Sequence, residues 1–397
     1  MRLIIYTGKG GTGKTVTSCS TAVKLAGGDK KTIVISADPA HTLSDAFMIS
    51  DIGTEPKEIQ SNLYALQVDP VTEMNRQYGS TLSNVISIFA SKGIDESLAY
   101  EVAMLPGMTQ LFSLLKIDEI IQTKLFDFAV LDMPASGEAL RYLYFPQLVG
   151  SIGRKLSGVA GMFNEVTKIL RLFSRSSNHS RNIQYNGEFL DRLEALSNVI
   201  RNPDITSLRL VANPDTFSIE NAKRAFISAS LYGINVDLAV INKVMPSDSP
   251  DQYYLKWADF QRTKLEEAKI NFYPVPVKEV ELYPNELRGL DMLRTNAELL
   301  FRNDNPGEVL YRGKPITFKT EGSSLVMSMK VPFTDKDDFD IERHGDQLSI
   351  KVKSPTGQLV NVIPLPVATM GMKLVKAKLE NDELNILFEK ISYRTGI

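Results

Sequence analysis

The residues best suited to chemistry lie near the start of the chain, in a glycine-rich segment that follows a short apolar run at residues 3–6. The segment reads Gly8-Lys9-Gly10-Gly11-Thr12-Gly13-Lys14-Thr15. Glycines at this spacing let consecutive backbone N–H groups converge on phosphate oxygens, which is the pattern of a phosphate-binding loop. The sequence therefore predicts a nucleoside triphosphate site. A glycine-rich turn between a strand and a helix is the alternative.

Individual side chains of this loop have expected roles. Lys14 can reach the β- and γ-phosphates, and the Thr15 hydroxyl can ligate Mg²⁺. Val16 closes the predicted nucleotide site and opens a helix-compatible stretch that runs to Ala26. The N-terminus of such a helix favours phosphate. Lys9 is not required by the general pattern, so it narrows the class of protein.

Three polar residues at predicted strand ends complete the site. Asp38 follows the second strand, where a carboxylate can orient an attacking water, although its position also suits a helix N-cap. Asp132 ends the apolar run 128–131, where it would support Mg²⁺ through water, although many buried strands end in aspartate. Asn242 has the donors and the acceptor to read an adenine edge, although asparagine is also a common turn residue.

Composition limits the classes of function. The chain has 397 residues, of which 43% are apolar, so we expect two or three domains with full cores. The formal net charge of −2, from 45 basic and 47 acidic residues, gives no reason to expect nucleic acid as a partner. We expect neither a signal sequence nor a transmembrane helix, because residues 2–7 already form a predicted strand and no apolar window approaches about 18 residues.

The chain is poor in soft metal ligands. It has one cysteine, Cys19, and three scattered histidines, His41, His179 and His344. A disulfide within one chain is impossible, and a multi-cysteine metal or arsenite site is excluded as well. The scarcity of cysteine is typical of a cytosolic protein, so we expect a cytoplasmic location.

Up to about residue 305, the pattern alternates strands with helices. Valine, isoleucine and leucine occupy both faces of the predicted strands, which favours a parallel sheet covered by helices on each side. The strands span residues 2–7, 32–36, 63–68, 127–132, 207–212, 237–242 and 270–275. Helices are predicted at 218–231, capped by Asp215 or Ser218, and at 257–269. The expected fold is α/β: a doubly wound, mostly parallel sheet with ligands at the carboxyl ends of its strands.

Two insertions, at about residues 70–124 and 150–203, exceed what a minimal sheet needs. The second contains an amphipathic helix with apolar residues at alternating spacings of four and three. Either this stripe packs on the core of the domain, or it binds a hydrophobic client or lines a dimer chamber. The stripe consists of Ile152, Leu156, Val159, Phe163, Val166, Leu170 and Phe173.

Composition changes at residues 303–307, where asparagine, aspartate, proline and glycine predict a turn and a linker. Beyond it the pattern is all-β, and turn residues such as those at 354–357 separate short strands. That spacing is typical of a β-sandwich of about 90 residues. The strands are predicted at residues 316–320, 324–330, 339–343, 347–352, 359–364 and 383–388. We therefore expect one domain at 1–305 and a second at 306–397.

The combination of motifs resembles the ArsA family of ATPases, which includes the arsenite-pump ATPase and the GET-pathway ATPase that targets tail-anchored membrane proteins. The similarity covers roughly residues 1–300. Besides the loop at 8–15, it is carried in the family's order by Asp38-Pro39-Ala40-His41-x-Leu43-Ser44-Asp45, Pro106-Gly107-Met108, Asp132 with Gly137 and Leu140-Arg141, Asn242, and Pro274 with Glu279-Val280.

The resemblance implies an ATP hydrolase that uses ATP and Mg²⁺ and works as a homodimer. Lys9 would be the family's extra lysine, which reaches across the dimer to the partner's nucleotide. A cation supplied in trans would couple hydrolysis to dimer closure. Asp38 would be the catalytic switch I aspartate, and Asn242 with the segment Pro274-Val275 would form the adenine pocket.

The chain departs from the family in three ways. It lacks the cysteine pair that binds zinc in GET-pathway ATPases and the several cysteines that bind arsenite in ArsA pumps, and it has a single phosphate-binding loop. Residues 132–137 also move the proline of the common switch II pattern by one place.

Three functions follow as hypotheses. The first is a homodimer that opens and closes to bind a hydrophobic client such as a membrane-protein segment, in the cytoplasm and peripherally at a membrane. The second is an ATPase subunit that energises an anion or metalloid transporter, which the single cysteine disfavours. The third is a nucleotide-gated scaffold whose β-domain carries the partner site.

The C-terminal part resembles an α-crystallin (small heat-shock) domain. Glycine is usual in the turn between that family's last two strands, and Glu383 stands there in this chain. A subset of ArsA-like ATPases has such a tail, and the chain resembles that subset. Two segments carry the resemblance: Leu359-Val360-Asn361-Val362-Ile363-Pro364-Leu365-Pro366 and Val375-Lys376-Ala377-Lys378-Leu379-Glu380-Asn381-Asp382-Glu383-Leu384-Asn385-Ile386-Leu387-Phe388.

Overall fold

The computed structural model describes the chain in segments, and all statements below concern those segments. They are residues 1–38, 42–69, 72–73, 76, 108–134, 140, 143–144, 182–246, 252–313, 316–322, 324–345, 347–354 and 357–390. The predicted apolar stripe between Ile152 and Phe173 lies outside them, as do His41, His179 and much of both predicted insertions.

The first part of the chain forms one eight-stranded sheet. Its strand order is β3-β4-β2-β5-β1-β6-β7-β8, and every neighbouring pair is parallel except β3 and β4. This confirms the predicted mostly parallel, doubly wound α/β fold. The strands are β1 (Arg2–Thr7), β2 (Thr32–Ser36), β3 (Lys57–Gln60), β4 (Leu63–Gln67), β5 (Phe128–Asp132), β6 (Thr206–Ala212), β7 (Val236–Val244) and β8 (Val277–Glu281).

Helices cover both faces of this sheet, and the strand sequences explain why. Leu3 and Ile5 of β1 join the apolar core on one face, whereas Ile4 and Tyr6 join the core on the other. A strand buried on both faces needs apolar residues at every position. The described helices are α1 (Lys14–Ala26), α2 (Thr42–Phe47), α3 (Met108–Thr123), α4 (Asn182–Arg201), α5 (Thr216–Tyr232), α6 (Gln252–Phe272) and α7 (Leu290–Phe301).

Helix α5 begins where the sequence predicts a cap. The Asp215 carboxylate accepts a hydrogen bond from the Ser218 backbone N–H at 2.9 Å, which satisfies one of the free N–H groups of the first turn. The Ser218 hydroxyl in turn accepts from the Asn213 N–H. Gly233, at φ +74°, ends the helix in the left-handed conformation that glycine favours. Asp215 is therefore the cap.

The predicted strand at residues 270–275 is wrong. Helix α6 continues to Phe272, and the eighth strand follows at Val277–Glu281. The buried residues Leu265, Ala268 and Phe272 recur at spacings of three and four, whereas Ile270 is 75% exposed. The apolar residues before Pro274 thus belong to a helical face, and the prolines at 274 and 276 then prevent the helix from continuing.

The C-terminal part is all-β, as predicted, with two antiparallel sheets. One has the order β14-β15-β10-β9 and the other the order β11-β12-β13. The six predicted strands are present, and a seventh, Met372–Glu380, precedes the last one. The strands are β9 (Ile316–Glu321), β10 (Ser324–Lys330), β11 (Phe339–His344), β12 (Gln347–Ser354), β13 (Gly357–Pro364), β14 (Met372–Glu380) and β15 (Glu383–Lys390).

Alternation along these strands places the core between the two sheets. Every second residue of β10, β12 and β15 is buried, and the residues between them are more exposed. The buried set is Leu325, Met327, Met329, Leu348, Ile350, Val352, Leu384, Ile386 and Phe388. This alternation is the period-2 signal from which a sandwich is predicted.

The all-β part packs on helices α5 and α6. The Phe333 ring lies 6.3 Å from the rings of Phe226 and Phe272, and the Lys223 ammonium lies 4.8 Å from the same ring. An apolar core residue from each of two helices therefore contacts the loop after β10.

The predicted linker at 303–307 is fastened to the amino-terminal edge of the large sheet. Arg209 and Asp237 are both 0% exposed and form an ion pair at 3.0 Å. Arg209 also donates to the Pro306 carbonyl at 2.8 Å, and Arg2 donates to the Gly307 carbonyl at 2.6 Å. A β-carbon on Gly307 would lie 2.6 Å from the Phe128 ring, so any larger residue would require that ring to move.

In the part of the chain that the structure describes, no helix combines the length and the apolarity needed to cross a membrane.

Candidate nucleotide site

Most of the predicted site residues converge at the carboxyl edge of the large sheet. The loop at 8–13 follows β1, and α1 begins at Lys14. Asp132 ends β5, which pairs with β1 so that Asp132 lies opposite Tyr6. Asn242 lies near the end of β7. Parallel strands end at the same edge, so residues far apart in sequence form one site there.

Glycine is required at two loop positions for different reasons. Gly13 adopts φ +89°, and a β-carbon on it would lie 2.2 Å from the Asn242 Nδ2. A β-carbon on Gly8 would lie 2.1 Å from the Val211 carbonyl oxygen, which belongs to the neighbouring strand β6. The loop is therefore held closely against β6 and β7, and any larger residue would displace it.

Thr15 and Asp132 meet at the predicted Mg²⁺ position. The Thr15 hydroxyl donates to the Asp132 Oδ2 at 2.7 Å, and the Thr42 hydroxyl of α2 lies 3.3 Å from the Thr15 hydroxyl. The Lys14 ammonium donates to the Lys9 carbonyl at 3.3 Å. Burial lowers the pKa of Lys14, and the carboxylates of Asp132 and Asp38 oppose that effect.

Asp132 is a buried carboxylate whose two oxygens differ in hydrogen bonding. Its side chain is 0% exposed, and the Oδ1 atom has no hydrogen-bond partner among the residues that the structure describes. Burial, with a contribution from Asp38, raises the pKa of Asp132 to about 7. The Thr15 hydrogen bond, the Lys14 charge and, more weakly, the Ser36 hydroxyl act in the opposite direction. A hydroxyl beside an incompletely satisfied carboxylate fits hydrated Mg²⁺, which takes oxygen ligands.

Asp38 lies within electrostatic range of this pair. Its carboxylate raises the pKa of Asp132, and its own backbone is fixed by two hydrogen bonds. The Asp38 N–H donates to the Ser36 hydroxyl at 3.2 Å, and the buried Gln67 amide donates to the Asp38 carbonyl at 2.7 Å. The structure thus places Asp38 beside the predicted metal position, on the loop that leaves β2.

Lys9 is the loop residue whose side chain does not enter this site. It is exposed, and its ammonium lies 5.7 Å from the centre of the Phe217 ring at the start of α5. Phe217 is itself 76% exposed. The Lys9 backbone carbonyl, by contrast, accepts hydrogen bonds from Lys14 and Thr12. Backbone and side chain of Lys9 therefore face different surroundings.

A cavity of about 720 Å³ extends from the loop across the ends of β7 and β8. Gly13, Thr15 and Val16 line one side of it, and Thr42, Asp45 and Ala46 of α2 contribute as well. The opposite wall consists of Asn242, Lys243 and residues 281–288. A cavity of this size that begins at a phosphate-binding loop can hold the sugar and base of a nucleotide.

Pro274 and Val275, predicted to border the adenine, do not line this cavity. They precede β8 and so lie at the amino-terminal edge of the sheet, where the Ala239 N–H donates to the Pro276 carbonyl. The residues beside Asn242 are those after β8, beginning with Glu281 and Leu282. The role of Pro274 and Val275 was implied by the family resemblance alone, and the structure places the cavity wall about one strand length further along the chain.

Sequence reasoning missed four contributors to the site. Gln67, Thr42 and Lys243 contact Asp38, Thr15 and Gly11 respectively, and residues 281–288 form a cavity wall. The rule that ligands bind at carboxyl strand ends would have identified the last set once β8 was placed correctly. The three side chains have no local pattern that indicates their partners.

A parallel sheet with a phosphate-binding loop after β1 and an aspartate at the end of β5 defines a P-loop nucleotide hydrolase. Comparison with known families narrows this class. The family profile described as anion-transporting ATPase, ArsA, matches residues 1–302, and the profile described as an HSP20-like domain found in ArsA matches residues 322–388. The chain belongs to the ArsA family of ATPases, which confirms both resemblances seen in the sequence.

Individual relatives support the assignment. A protein of Prosthecochloris vibrioformis that is named as an arsenical pump-driving ATPase is 32% identical over 400 residues, which cover 98% of this chain and 96% of the relative. A protein with the same type of name from Aquifex aeolicus is 30% identical over 397 residues, 97% of this chain and 99% of the relative. ATPase GET3 of Rhodotorula glutinis is 27% identical over 307 residues, 74% of this chain and 86% of the relative.

Proposed function

We propose that the protein is a homodimeric, Mg²⁺-dependent ATPase in which Lys9 of each chain acts on the nucleotide of the other. The observation that carries this proposal is the position of Lys9. It belongs to the phosphate-binding loop, yet its ammonium lies outward against Phe217 and not in the site of its own chain. A cation on the rim of the loop is placed to meet a nucleotide that approaches from a second copy.

The residues of one chain supply the rest of the chemistry. Backbone N–H groups of the loop and the Lys14 ammonium bind the β- and γ-phosphates. Thr15 would bind Mg²⁺ directly and Asp132 would hold it through water, and the ion would supply positive charge to the phosphates. Asp38 orients the attacking water and accepts its proton, which its position beside Asp132 supports. Lys9 of the second chain then stabilises charge that develops as the phosphate bond breaks.

The trans role can be tested by mixing two inactive variants. Lys9→Ala leaves its own site complete but withholds the trans cation, whereas Lys14→Ala destroys its own site but can still provide Lys9. Each variant alone should hydrolyse ATP poorly. The mixture should recover about a quarter of the wild-type rate, because half of the dimers are mixed and each has one complete site.

The controls for this test separate the alternatives. Copurification of an untagged variant with a tagged one from the mixture measures how completely the chains exchange, wherever Lys9 acts. If exchange is complete and the two single variants show no recovery, Lys9 acts within its own chain or not at all. Sedimentation with and without ATP would show separately whether two chains associate.

We further propose that ATP-driven closure serves a hydrophobic client in the cytoplasm, at times at a membrane surface. Asp38→Asn should bind ATP without hydrolysing it and so accumulate the closed state. That variant should capture a hydrophobic transmembrane segment more strongly than Lys14→Ala does, measured with a fluorescent peptide. Equal capture by both variants would count against a nucleotide-dependent client site.

The names of the full-length relatives favour a second candidate, an ATPase that energises an anion or metalloid transporter. Its chemistry is poorly supported here. As(III) is bound by thiolates, and Cys19, the one cysteine of the chain, is buried in α1 with a pKa raised well above its usual range by burial. Arsenite should therefore leave the ATPase rate unchanged, and a several-fold stimulation would revive this candidate.

A further inference from the structure

Lys243, which lines the cavity, has an unfavourable backbone conformation. It adopts φ +65°, a left-handed conformation that is uncommon for residues other than glycine, asparagine and aspartate. The cause is a bulge in β7. Asn242 pairs with Val280 and Val244 pairs with Glu281, so Lys243 is the extra residue between two paired ones.

The bulge lets two successive side chains reach the same loop. In a regular strand, neighbouring side chains point to opposite faces of the sheet. Here the Asn242 amide donates to the Thr12 carbonyl at 2.8 Å, and the Lys243 ammonium donates to the Gly11 carbonyl, also at 2.8 Å. Left-handed residues that persist in a fold often mark functional sites, because the strain serves a contact.

These two contacts set the direction of two adjacent peptide groups. A trans peptide is planar, with its C=O and N–H pointing in opposite directions. Holding the Gly11 carbonyl therefore fixes the N–H of Thr12, and holding the Thr12 carbonyl fixes the N–H of Gly13. Convergent N–H groups are what a phosphate-binding loop offers to its ligand.

We propose that Lys243 is a positioning residue for polyphosphate: it holds the Gly11 carbonyl so that the loop presents its N–H groups to the β- and γ-phosphates before the nucleotide arrives. The inference rests on the proposed nucleotide site and adds a residue that acts through the loop backbone. It predicts an effect confined to ligands that carry a polyphosphate. The affinity for adenosine, which lacks phosphate, should be unchanged.

The test compares equilibrium binding of ATP, ADP and adenosine to full-length protein. Lys243→Met removes the donor, Lys243→Arg keeps one, and Lys243→Gly removes the donor while relieving the backbone. Lys256→Met, an exposed lysine on α6, controls for the change in net charge. Lys243→Met should weaken the binding of ATP and ADP by about tenfold, as expected for the loss of one hydrogen bond from a charged group. Lys243→Arg and Lys256→Met should stay within about threefold of wild type.

Two further readouts distinguish positioning from other roles. Lys243→Gly should lose affinity like Lys243→Met while its thermal midpoint stays level or rises, which a merely structural lysine would not do. The ratio of the ATP dissociation constants of Lys243→Met and wild type should persist at about 0.5 M salt, where direct attraction between exposed charges is screened.

The proposal fails if Lys243→Met binds ATP as tightly as wild type does, or if it loses affinity for adenosine to the same extent. It also fails if the difference in ATP affinity vanishes at high salt. If wild-type protein binds neither ATP nor ADP, the proposed nucleotide site fails and this inference fails with it.

Discussion

Two buried aspartates lie at opposite edges of the same sheet, and they are satisfied to different degrees. At the amino-terminal edge, Asp237 accepts from Arg209 at 3.0 Å, from Arg2 at 3.4 Å and from the Leu310 N–H at 3.2 Å. At the carboxyl edge, Asp132 has the Thr15 hydroxyl and an oxygen without a partner among the described residues. Both carboxylates are 0% exposed.

The difference separates a structural charge from a functional one. A buried carboxylate that is completely paired with cations and N–H donors holds the surrounding segments in place. Arg209 shows the same pairing from the other side: burial acts most strongly and lowers its pKa, but Asp237 and Tyr6 together raise the pKa above its usual value. A buried carboxylate with spare bonding capacity has a raised pKa, and it is stabilised when a cation arrives.

The largest effect is expected at the paired edge. Arg209→Met should lower the free energy of unfolding by about 3–5 kcal/mol, because it leaves Asp237 buried with much of its charge uncompensated. Urea unfolding of the full chain measures this. A loss below about 1 kcal/mol would mean that the two edges do not differ as described.

A double-mutant cycle with Asp237→Leu makes this comparison quantitative. The Arg209→Met/Asp237→Leu protein should be more stable than the sum of the single effects predicts, by about 1–3 kcal/mol.

The second effect concerns Asp132 and depends on pH. Its folded pKa of about 7 exceeds the ordinary value of 3.8, so between these limits the folded protein retains a proton that the unfolded chain has released. Asp132 therefore lowers stability progressively as pH rises from 4 to 7, by up to about 4 kcal/mol. Asp132→Asn should remove this loss, so it should be more stable than wild type at pH 7 and equal to it near pH 4.

Urea unfolding of both proteins across this pH range is the measurement, and the difference between them excludes other titrating groups. ATP with Mg²⁺ should narrow the difference at pH 7, while Asp132→Asn should lose most of its ATPase activity. A difference that does not vary with pH would show that the Asp132 carboxylate is ionised normally.

A smaller effect is expected at Tyr6, which connects the two edges. Its hydroxyl accepts from Arg209 at 3.3 Å and lies 2.7 Å from the Thr21 hydroxyl of α1. Thr21 itself donates to the Thr17 carbonyl, so Tyr6 donates to Thr21. Tyr6→Phe should lower the free energy of unfolding by about 1 kcal/mol. If it also weakens ATP binding, the edges are coupled through α1; an unchanged dissociation constant would show that they act independently.

The smallest effect is expected at Phe217, whose ring faces the Lys9 ammonium. An exposed contact of this kind contributes about 0.5–1 kcal/mol. Phe217→Leu should therefore change the free energy of unfolding by less than about 1 kcal/mol. Its ATPase rate reports whether the ring orients Lys9, and Phe217→Tyr, which keeps the ring, is the matched control.

The site was predictable where its chemistry is local in sequence. The loop at 8–15 and the aspartate at the end of β5 follow patterns within a few residues, and the structure brings them together. The contact between Lys243 and Gly11 spans 232 residues and depends on a bulge, so no local pattern indicates it. The apolar run before Pro274 suits a buried strand and a helical face equally well, which is why β8 was misplaced.

The hydrogen bonds that hold residues 306–313 to the large sheet also limit how far the first strand of the all-β part can lie from that sheet. The Asn235 side chain accepts from the Gly313 N–H and donates to the Tyr311 carbonyl, so the chain is fixed to the sheet as far as Gly313. Strand β9 starts at Ile316. The three Cα-to-Cα steps from Gly313 to Ile316 span about 11 Å at most. Because Phe333, after β10, also packs on α5 and α6, the all-β part is held at a second place. Helix α5, whose first turn carries Phe217 beside Lys9, connects that contact to the phosphate-binding loop.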